Sequence, residues 1–315
     1  MNAKKLLLLP LLLSALTTVA NTIPVNNIPS SNTISVTPFA GYRYDVFQWS
    51  TPMGSCSTEN KASELTWKNH IVETGVKVET PPEDRGFNFL GQMKYGIILN
   101  NSTMKDADWD NLGEFSTSIS RVKGNIVDLS GAVGVSRQLF SALITYYLGM
   151  DYTKYQMKNY GLNYKTNRYF NSYINDTLGQ THPKSQLVSK YSFDNYAPWV
   201  GVSIFYPIND KISLKPTIKA YLFYILSKAD WVLRDDYVKG TSFTHRAFGT
   251  GASIDTELLY QYNQKLDIHA NIGFKIFRML EGRKKHFRHG YTYSNDLKKL
   301  SFMSSSISGG IKYKF

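Results

Sequence analysis

Apolar and polar residues alternate along much of the chain, in segments of about ten residues. Side chains on a β-strand point to its two faces in turn, so each segment predicts a strand with one apolar and one polar face. About ten segments show this pattern, which is typical of barrel strands that face lipid outside and a polar lumen inside. The segments are Ile34–Trp49, Leu65–Glu79, Phe87–Ile98, Asn125–Ser136, Leu143–Tyr155, Ser192–Tyr206, Ile212–Leu226, Gly249–Tyr262, Leu266–Arg278 and Phe302–Phe315.

The connections between these segments are short and long in turn. The short ones are Pro81–Gly86, Arg137–Ser141, Pro207–Asp210 and Asn263–Lys265, and the long ones are Ser50–Glu64, Leu99–Gly124, Gln156–Tyr191, Ser227–Phe248 and Met279–Ser301. An even-stranded antiparallel barrel has short periplasmic turns at one end and long extracellular loops at the other. We therefore predict an all-β protein, a transmembrane antiparallel β-barrel of about ten strands with both chain ends in the periplasm.

The last segment has one apolar face and one polar face. The apolar face carries Ile307, Gly309, Ile311, Tyr313 and Phe315, and the other face carries Ser308, Gly310, Lys312 and Lys314. The segment resembles the end of outer-membrane barrels, whose terminal aromatic residue is read by the insertion machinery. This resemblance makes that machinery a predicted partner.

The N-terminal residues have the composition of a secretory signal peptide. Lys4 and Lys5 precede an apolar run from Leu6 to Leu16, and small residues follow up to Ala20. We predict that residues 1–20 are removed and that residues 21–315 form the barrel domain. The remaining sequence has no apolar run of about 18 residues, so its membrane spans are predicted to be strands.

Net charge limits the classes of partner that are expected, and cysteine content limits the expected disulfides. The net charge of +12 suits lipopolysaccharide, another outer-membrane lipid or an acidic ligand, and export makes nucleic acid a poor choice. Cys56 is the single cysteine, so no internal disulfide framework is expected. The predicted location is the outer membrane of a Gram-negative bacterium, with the loops at the cell surface. No cofactor is implied.

Two acidic residues in the second long connection are candidates for chemistry. Asp106 and Asp108 are two positions apart, so in an extended segment both side chains face the same side. Close carboxylates resist double ionisation, and one of them then keeps a proton that acid–base chemistry can use. A solvated acidic loop or a cation site would have the same sequence.

Several motifs resemble those of the omptins, a family of ten-stranded outer-membrane proteases. The most specific is Asp106-Ala-Asp-Trp109, which is similar to the Asp-x-Asp-Trp motif of the family. Weaker similarities lie at Ser63–Lys68, Tyr237–Gly240, Thr244–Arg246 and Gly309–Phe315. The resemblance implies hydrolysis of peptide bonds next to basic residues, by a water held between an Asp pair and an Asp–His pair. Asp106 and Asp108 match the first pair.

The second omptin pair is not matched. Arg234 stands where the resemblance requires the Asp, and Asp236 stands where it requires the His. A carboxylate is a much weaker base than imidazole near neutral pH, so activity is predicted to be impaired or altered. One alternative shares a proton between the Asp106–Asp108 pair and Asp235 or Asp236 and predicts an acidic pH optimum.

Two further alternatives concern the same mouth. Arg234 would keep the acids ionised, which would replace an active site by a salt-bridged mouth. His245 could substitute for the missing base, although a polar residue of the lumen or surface is the plainer interpretation. His70, His182, His269, His286 and His289 show no recognisable metal or triad spacing.

Basic residues provide candidate contacts with lipid or an acidic ligand. Lys154 matches an exterior lipopolysaccharide position of the omptins, and a basic run supplies Arg283, Lys284, Lys285 and Arg288. A solvated loop has the same composition. The alternative to a surface endopeptidase is a non-enzymatic barrel, either an adhesin for a host surface ligand or a small pore whose lumen lysines Lys219, Lys312 and Lys314 favour anions.

Overall fold

The computed structural model describes residues 34–52, 61–80, 86–110, 112–139, 141–167 and 182–315. The predicted signal peptide and Cys56 lie outside these residues, as does most of the first short turn. The described part of the chain contains no helix that is long and apolar enough to span a membrane.

The fold consists of strands that run antiparallel to their neighbours. They are β1 (Ser35–Pro52), β2 (Lys61–Glu79), β3 (Phe87–Ile98), β4 (Thr103–Asp110), β5 (Gly113–Leu139), β6 (Ala142–Asn167), β7 (His182–Pro207), β8 (Ile212–Trp231), β9 (Phe243–Gln261), β10 (Leu266–Arg288), β11 (Tyr291–Asp296) and β12 (Lys299–Lys314).

The sheet closes into a ring because β1 pairs with both β2 and β12. A wall is one position in the ring of strands, and two of the walls are each built from two successive strands. β3 and β4 both lie between β2 and β5, while β11 and β12 both run along β10. The twelve strands found in the described part of the chain therefore build ten walls, which confirms the predicted all-β barrel of about ten strands.

An apolar band surrounds the outside of the barrel. Its exposed residues include Val72, Val76, Val78, Phe89, Met93, Leu148, Val200, Ile218, Ile254, Ile272, Ile307 and Ile311. Tyr313 and Phe315 stand at the periplasmic edge. Exposed Lys68, Arg246 and Arg278 end the band on the other side. Because lipid accommodates apolar side chains and excludes charged ones, we take this band as the membrane-spanning part.

Charged side chains fill the lumen within this band. Lys215 Nζ on β8 lies 2.7 Å from Glu79 Oε2 on β2, and Lys275 Nζ on β10 lies 3.1 Å from Asp151 Oδ2 on β6. These pairs connect strands that are not neighbours in the sheet. Buried charges require such partners, so the ion pairs hold opposite walls together.

An aromatic layer closes the lumen on the extracellular side of these charges. It consists of Phe47, Trp67, Tyr155, Tyr191, Phe193, Phe277 and Phe302, each no more than 8% exposed. The ring centroids of Phe47 and Phe193 are 4.8 Å apart, and those of Tyr155 and Phe302 are 6.1 Å apart. Both contacts join opposite walls of the barrel.

The strands extend well beyond the apolar band, which corrects the predicted loops. Leu99–Gly124 was expected to be a loop, but most of it belongs to β4 and β5, and Met279–Ser301 belongs largely to β10, β11 and β12. The expected alternation is missing there because both faces of these extensions are polar or partly solvated. The extensions form a mouth whose floor is the aromatic layer.

Candidate functional site

Asp106 and Asp108 lie on β4, not on a loop. In the register of the sheet, Asp106 is opposite Leu65 on β2, and Asp108 is opposite Ser63. Leu65 is buried inside the barrel, and residues opposite each other share a face of the sheet, so both carboxyl groups point into the mouth. The expectation that they face the same side is confirmed, although the supporting element is a strand.

Burial and mutual repulsion make this pair hold a proton. The pKa of Asp106 is well above its ordinary range because of burial and then because of Asp108, while Lys284 and Arg234 offset this only in part. Burial also raises the pKa of Asp108, against a hydrogen bond from Ser63. Asp106 Oδ1 is enclosed and has no hydrogen-bond partner among the described residues. The pair can therefore donate a proton at a pH where ordinary carboxyl groups are ionised.

Lys284 on β10 is buried beside the carboxyl pair. Its side chain is 6% exposed, and its Nζ lies 4.4 Å from the ring centroid of Trp49 and 4.2 Å from that of Phe243. Burial lowers the pKa of Lys284 to about 7, although Asp106 and Asp108 act in the opposite direction. The amine is thus partly neutral near neutral pH.

A β-bulge turns Lys284 inward. Along β10 the odd-numbered Phe277 faces the lumen, but the pairing with β9 shifts between Met279 and Glu281, and beyond the shift the even-numbered Lys284 faces inward. A bulge inserts one extra residue and so exchanges the two faces of the strand. Lys284 was predicted to contact lipid or an acidic ligand. Its side chain is enclosed in the mouth and does not face the lipid, while contact with an acidic ligand stays a prediction.

Asp235 and Asp236 are bound by cations at the rim. Arg234 donates two hydrogen bonds of 2.7 Å to Asp236, and Arg288 Nη1 lies 3.0 Å from the same carboxylate. Lys239 Nζ lies 2.7 Å from Asp235. Arg234 and Arg288 lower the pKa of Asp236, and Lys239 lowers that of Asp235. Both carboxylates stay ionised, so the proton of the mouth resides on the Asp106–Asp108 pair.

His245 lies beneath Lys284, to which it is directly opposite in the sheet. It is 1% exposed, its Nδ1 lies 3.1 Å from the Tyr191 hydroxyl, and its ring meets the edge of Trp49. Burial holds its pKa well below the usual range, and Lys284 adds to this shift. His245 is therefore a neutral packing residue of the floor.

The other basic candidates lie outside the mouth or on its rim. Arg283 and Lys285 point outward from β10 and are exposed, and Lys154 faces outward with its Nζ 3.9 Å from Asp194.

The sequence did not single out Tyr164 on β6. Burial and the two aspartates raise its pKa to about 12, so its hydroxyl stays protonated beside the pair.

A row of lysines crosses the outer surface above the lipid band. Lys123 on β5 is directly opposite Lys158 on β6, and Lys158 is directly opposite Lys190 on β7. All three side chains are exposed. Lys190 Nζ lies 3.6 Å from Asp230 Oδ2, which offsets part of this charge. Like charges in opposite positions repel each other, so an anion that neutralises the rest of the lysine row is favoured.

Comparisons with known proteins agree with the fold. OmpT, the outer membrane protease of Escherichia coli, is similar in structure at 12% sequence identity, with a TM-score of 0.72 over 94% of this chain and 100% of OmpT. The translocator domain of the autotransporter NalP from Neisseria meningitidis matches at 9% identity and a TM-score of 0.37, over 98% of this chain and 95% of the domain. No curated protein matches the sequence.

The family comparison covers most of the chain. The model of the Protochlamydia outer membrane protein family matches residues 38–315. The likeness to OmpT concerns the fold alone, since the identity is too low to transfer an activity. The chain belongs to the Protochlamydia outer membrane protein family, and it is a β-barrel of the outer membrane of a Gram-negative bacterium.

Proposed function

We propose that this barrel is an omptin-like surface endopeptidase with an altered catalytic site. The observation that carries the proposal is the half-buried Asp106–Asp108 pair, which points into the mouth above the aromatic layer and acts on the buried amine of Lys284. Peptide hydrolysis needs a positioned water and a proton donor for the leaving amine. The Asp106–Asp108 pair, whose pKa values are raised, can position the water and donate the proton from a rigid strand.

The two carboxyl groups take different roles in this proposal. Asp108 accepts a hydrogen bond from Ser63 and is the better candidate for the ionised member, which orients the water. Asp106 is the more strongly protonated member, and it donates its proton toward the scissile peptide. Two carboxyl groups held in different environments divide acid and base roles in this way.

Peptides with basic residues are the proposed substrates. Asp110 follows Asp108 by two positions on β4, so it lies on the same face of the strand as the pair. A substrate lysine or arginine is attracted to this row of three acidic residues.

The test is a cleavage assay with the folded barrel in lipopolysaccharide-containing detergent, on peptides with paired basic residues between about pH 4 and 9. We expect cleavage by the parent and a loss of about a hundredfold or more in kcat/KM for Asp108→Asn. Asp296→Asn is the matched control, because Asp296 is an exposed carboxylate on the outer part of the same mouth. An Asp108→Asn variant as fast as the parent at every pH would contradict the proposal.

The structure gives less support to a pore. The aromatic layer joins opposite walls across the described lumen, which argues against a wide path for anions past Lys219 or Lys312. A folded barrel that binds basic peptides without cleaving them would instead indicate an adhesin or another surface-binding role.

We also propose lipopolysaccharide as the partner of the lysine row. A lysine near an anionic surface contributes about 1 kcal/mol, so replacing Lys123, Lys158 and Lys190 together by Ala is expected to weaken binding by roughly a hundredfold at low salt. Binding of fluorescent lipopolysaccharide to the detergent-solubilised barrel measures this. Lys211→Ala with Lys265→Ala, at the periplasmic turns, is the control. Unchanged affinity of the triple variant would exclude the row as the lipid site.

A further inference from the structure

The proposed hydrolysis requires a group that removes a proton from the attacking water. In the omptin resemblance this group is a His, and Asp236 stands at its position. Asp236 is bound by Arg234 and Arg288, and these ion pairs make it a poor proton acceptor. The site needs a base that comes from another element.

The other candidate bases in the described mouth are poor proton acceptors. His245 is packed against Trp49 and hydrogen-bonded with Tyr191. His286 hydrogen-bonds with both Tyr237 and Asn295, and burial lowers its pKa to about 3. Both ring nitrogens of His286 are engaged. His245 Nε2 has no hydrogen-bond partner among the described residues, but His245 is 1% exposed, and burial together with Lys284 and His286 holds its pKa well below the usual range, which makes it a poor proton acceptor.

Lys284 differs from these groups because its amine has no acceptor. Among the described residues it makes no hydrogen bond or ion pair, and its surroundings are the rings of Trp49 and Phe243. Asp106 and Asp108 face it from β4, Arg234 faces it from the segment between β8 and β9, and His245 and His286 are its neighbours on β9 and β10. The aromatic box keeps the amine in place and removes its hydration shell.

We infer that Lys284 is the general base of this barrel, and that an amine from β10 does the work that an imidazole from the fourth loop does in the omptins. The inference rests on the proposed function. It assigns a catalytic role to a residue that the sequence analysis offered only as a contact for lipid or an acidic ligand.

The proton transfers balance without a metal or a cofactor. Neutral Lys284 Nζ takes a proton from the water that Asp108 orients, and the water oxygen forms a bond to the peptide carbonyl carbon. The carbonyl oxygen becomes an oxyanion that accepts a hydrogen bond from protonated Asp106. When the tetrahedral intermediate collapses, the carbon–nitrogen bond breaks, the leaving nitrogen takes the proton of Asp106, and the Lys284 ammonium returns a proton to the Asp106 carboxylate. Lys284 is then neutral again.

The expected pH dependence of kcat/KM follows from the protonation state of Lys284. Only the neutral amine accepts a proton, so kcat/KM is expected to rise as the pH increases through about 7, the pKa that burial gives Lys284. A mechanism with carboxylates alone would instead lose activity as the protonated carboxyl ionises. A kcat/KM that rises with pH through about 7 therefore indicates the Lys284 mechanism, and one that falls indicates carboxylates alone.

The first test compares Lys284→Met, Lys284→Arg and the parent over the same pH range. Both variants lack an amine that titrates near neutral pH, so we expect each to lose about a hundredfold or more in kcat/KM and to lose the rising limb. Lys285→Met and Lys285→Arg are the matched controls, since Lys285 is adjacent but exposed on the outer face. If Lys284→Arg keeps full activity, Lys284 supplies only charge and the inference fails, while the proposed function stands.

A second measurement tests whether an amine that is restored chemically at position 284 rescues the activity. In a Cys56→Ser background, a Lys284→Cys variant is alkylated with bromoethylamine, which builds an amine of lysine length with a sulfur in the chain. The sulfur makes the amine less basic, so we expect activity to return with its limb moved to lower pH. Rescue with an unmoved limb, or no rescue in a folded barrel, would overturn the inference.

A third measurement does not use activity. Trace acetic anhydride, added between about pH 5 and 10, should acetylate Lys284 with a midpoint near 7, far below the value of about 10.4 for an ordinary lysine amine. Mass spectrometry of the peptide that contains Lys284 gives the midpoint. An ordinary midpoint would exclude Lys284 as the base even if peptides are cleaved. An acetylation midpoint near 7 with a parent that cleaves nothing would refute the proposed function, and the catalytic role with it.

Discussion

An Asp106→Asn variant is expected to lose cleavage by about a thousandfold while the folded barrel becomes more stable at alkaline pH. Asn keeps the shape of the side chain but cannot donate a proton to the leaving amine. The stability gain has a separate cause. Burial and Asp108 raise the pKa of Asp106, so the folded barrel resists the ionisation that the unfolded chain undergoes freely.

The sign of this stability change follows from proton binding. Between the ordinary pKa of an Asp and the raised pKa of Asp106, the folded state holds a proton that the unfolded state has released, so the parent loses stability as the pH rises. Asn has no such cost. The free energies of unfolding of Asp106→Asn and the parent should therefore be similar at about pH 3. They should diverge toward pH 8, where the variant is the more stable protein.

Urea unfolding in lipid vesicles, followed by tryptophan fluorescence, measures this difference. Asp296→Asn is the control, because its exposed carboxylate should show no comparable divergence. If Asp106→Asn is less stable than the parent at pH 8, Asp106 is an ionised partner of Lys284 and Arg234. That result would place a salt bridge in the mouth and remove its proton donor.

The second large effect concerns the ion pairs of the lumen. Glu79 receives hydrogen bonds from Lys215 and Lys312, and Lys77 Nζ lies 3.6 Å from it. Glu257 is the other carboxylate of this cluster. Glu79→Ala leaves three buried lysines with one carboxylate, and breaking a buried ion pair costs about 3–5 kcal/mol. We expect the free energy of unfolding to fall by that amount.

The matched control for Glu79→Ala is an exposed ion pair. Asp296 lies 3.7 Å from Arg283 at the surface, and Asp296→Ala should change the free energy of unfolding by no more than about 1 kcal/mol. Urea unfolding of both variants gives the comparison. If Glu79→Ala is as stable as the parent, the three lysines have found water or shed their charge, and the cluster does not hold opposite walls together.

The sequence predicted the barrel where lipid imposes a pattern. Residues such as Val72, Val76 and Val78 alternate with lumen residues because one face of the strand meets hydrocarbon and the other meets charge. Beyond the band this contrast disappears, so the extensions of β4, β5 and β10 were predicted as loops. The strands are present because each pairs with its neighbours in the closed ring.

The candidate site was predicted in part, for equally local reasons. Asp106 and Asp108 were found because an Asp-x-Asp spacing places both groups on the same face of any extended segment. The enclosed position of Lys284 was not predicted, because residues 279–301 show no alternation and were predicted as a loop. The bulge near Met279, which turns Lys284 inward, also leaves no signal in a two-residue periodicity.

The aromatic layer has a consequence for the cell that carries this protein. Rings from opposite walls touch across the barrel, so we expect the lumen to admit neither nutrients nor antibiotics. A bacterium can therefore display many copies without making its envelope leaky, and the abundance of the barrel is decoupled from osmotic and drug sensitivity. Trimming Tyr155 and Phe302 would remove that decoupling and turn a surface protein into a permeability defect.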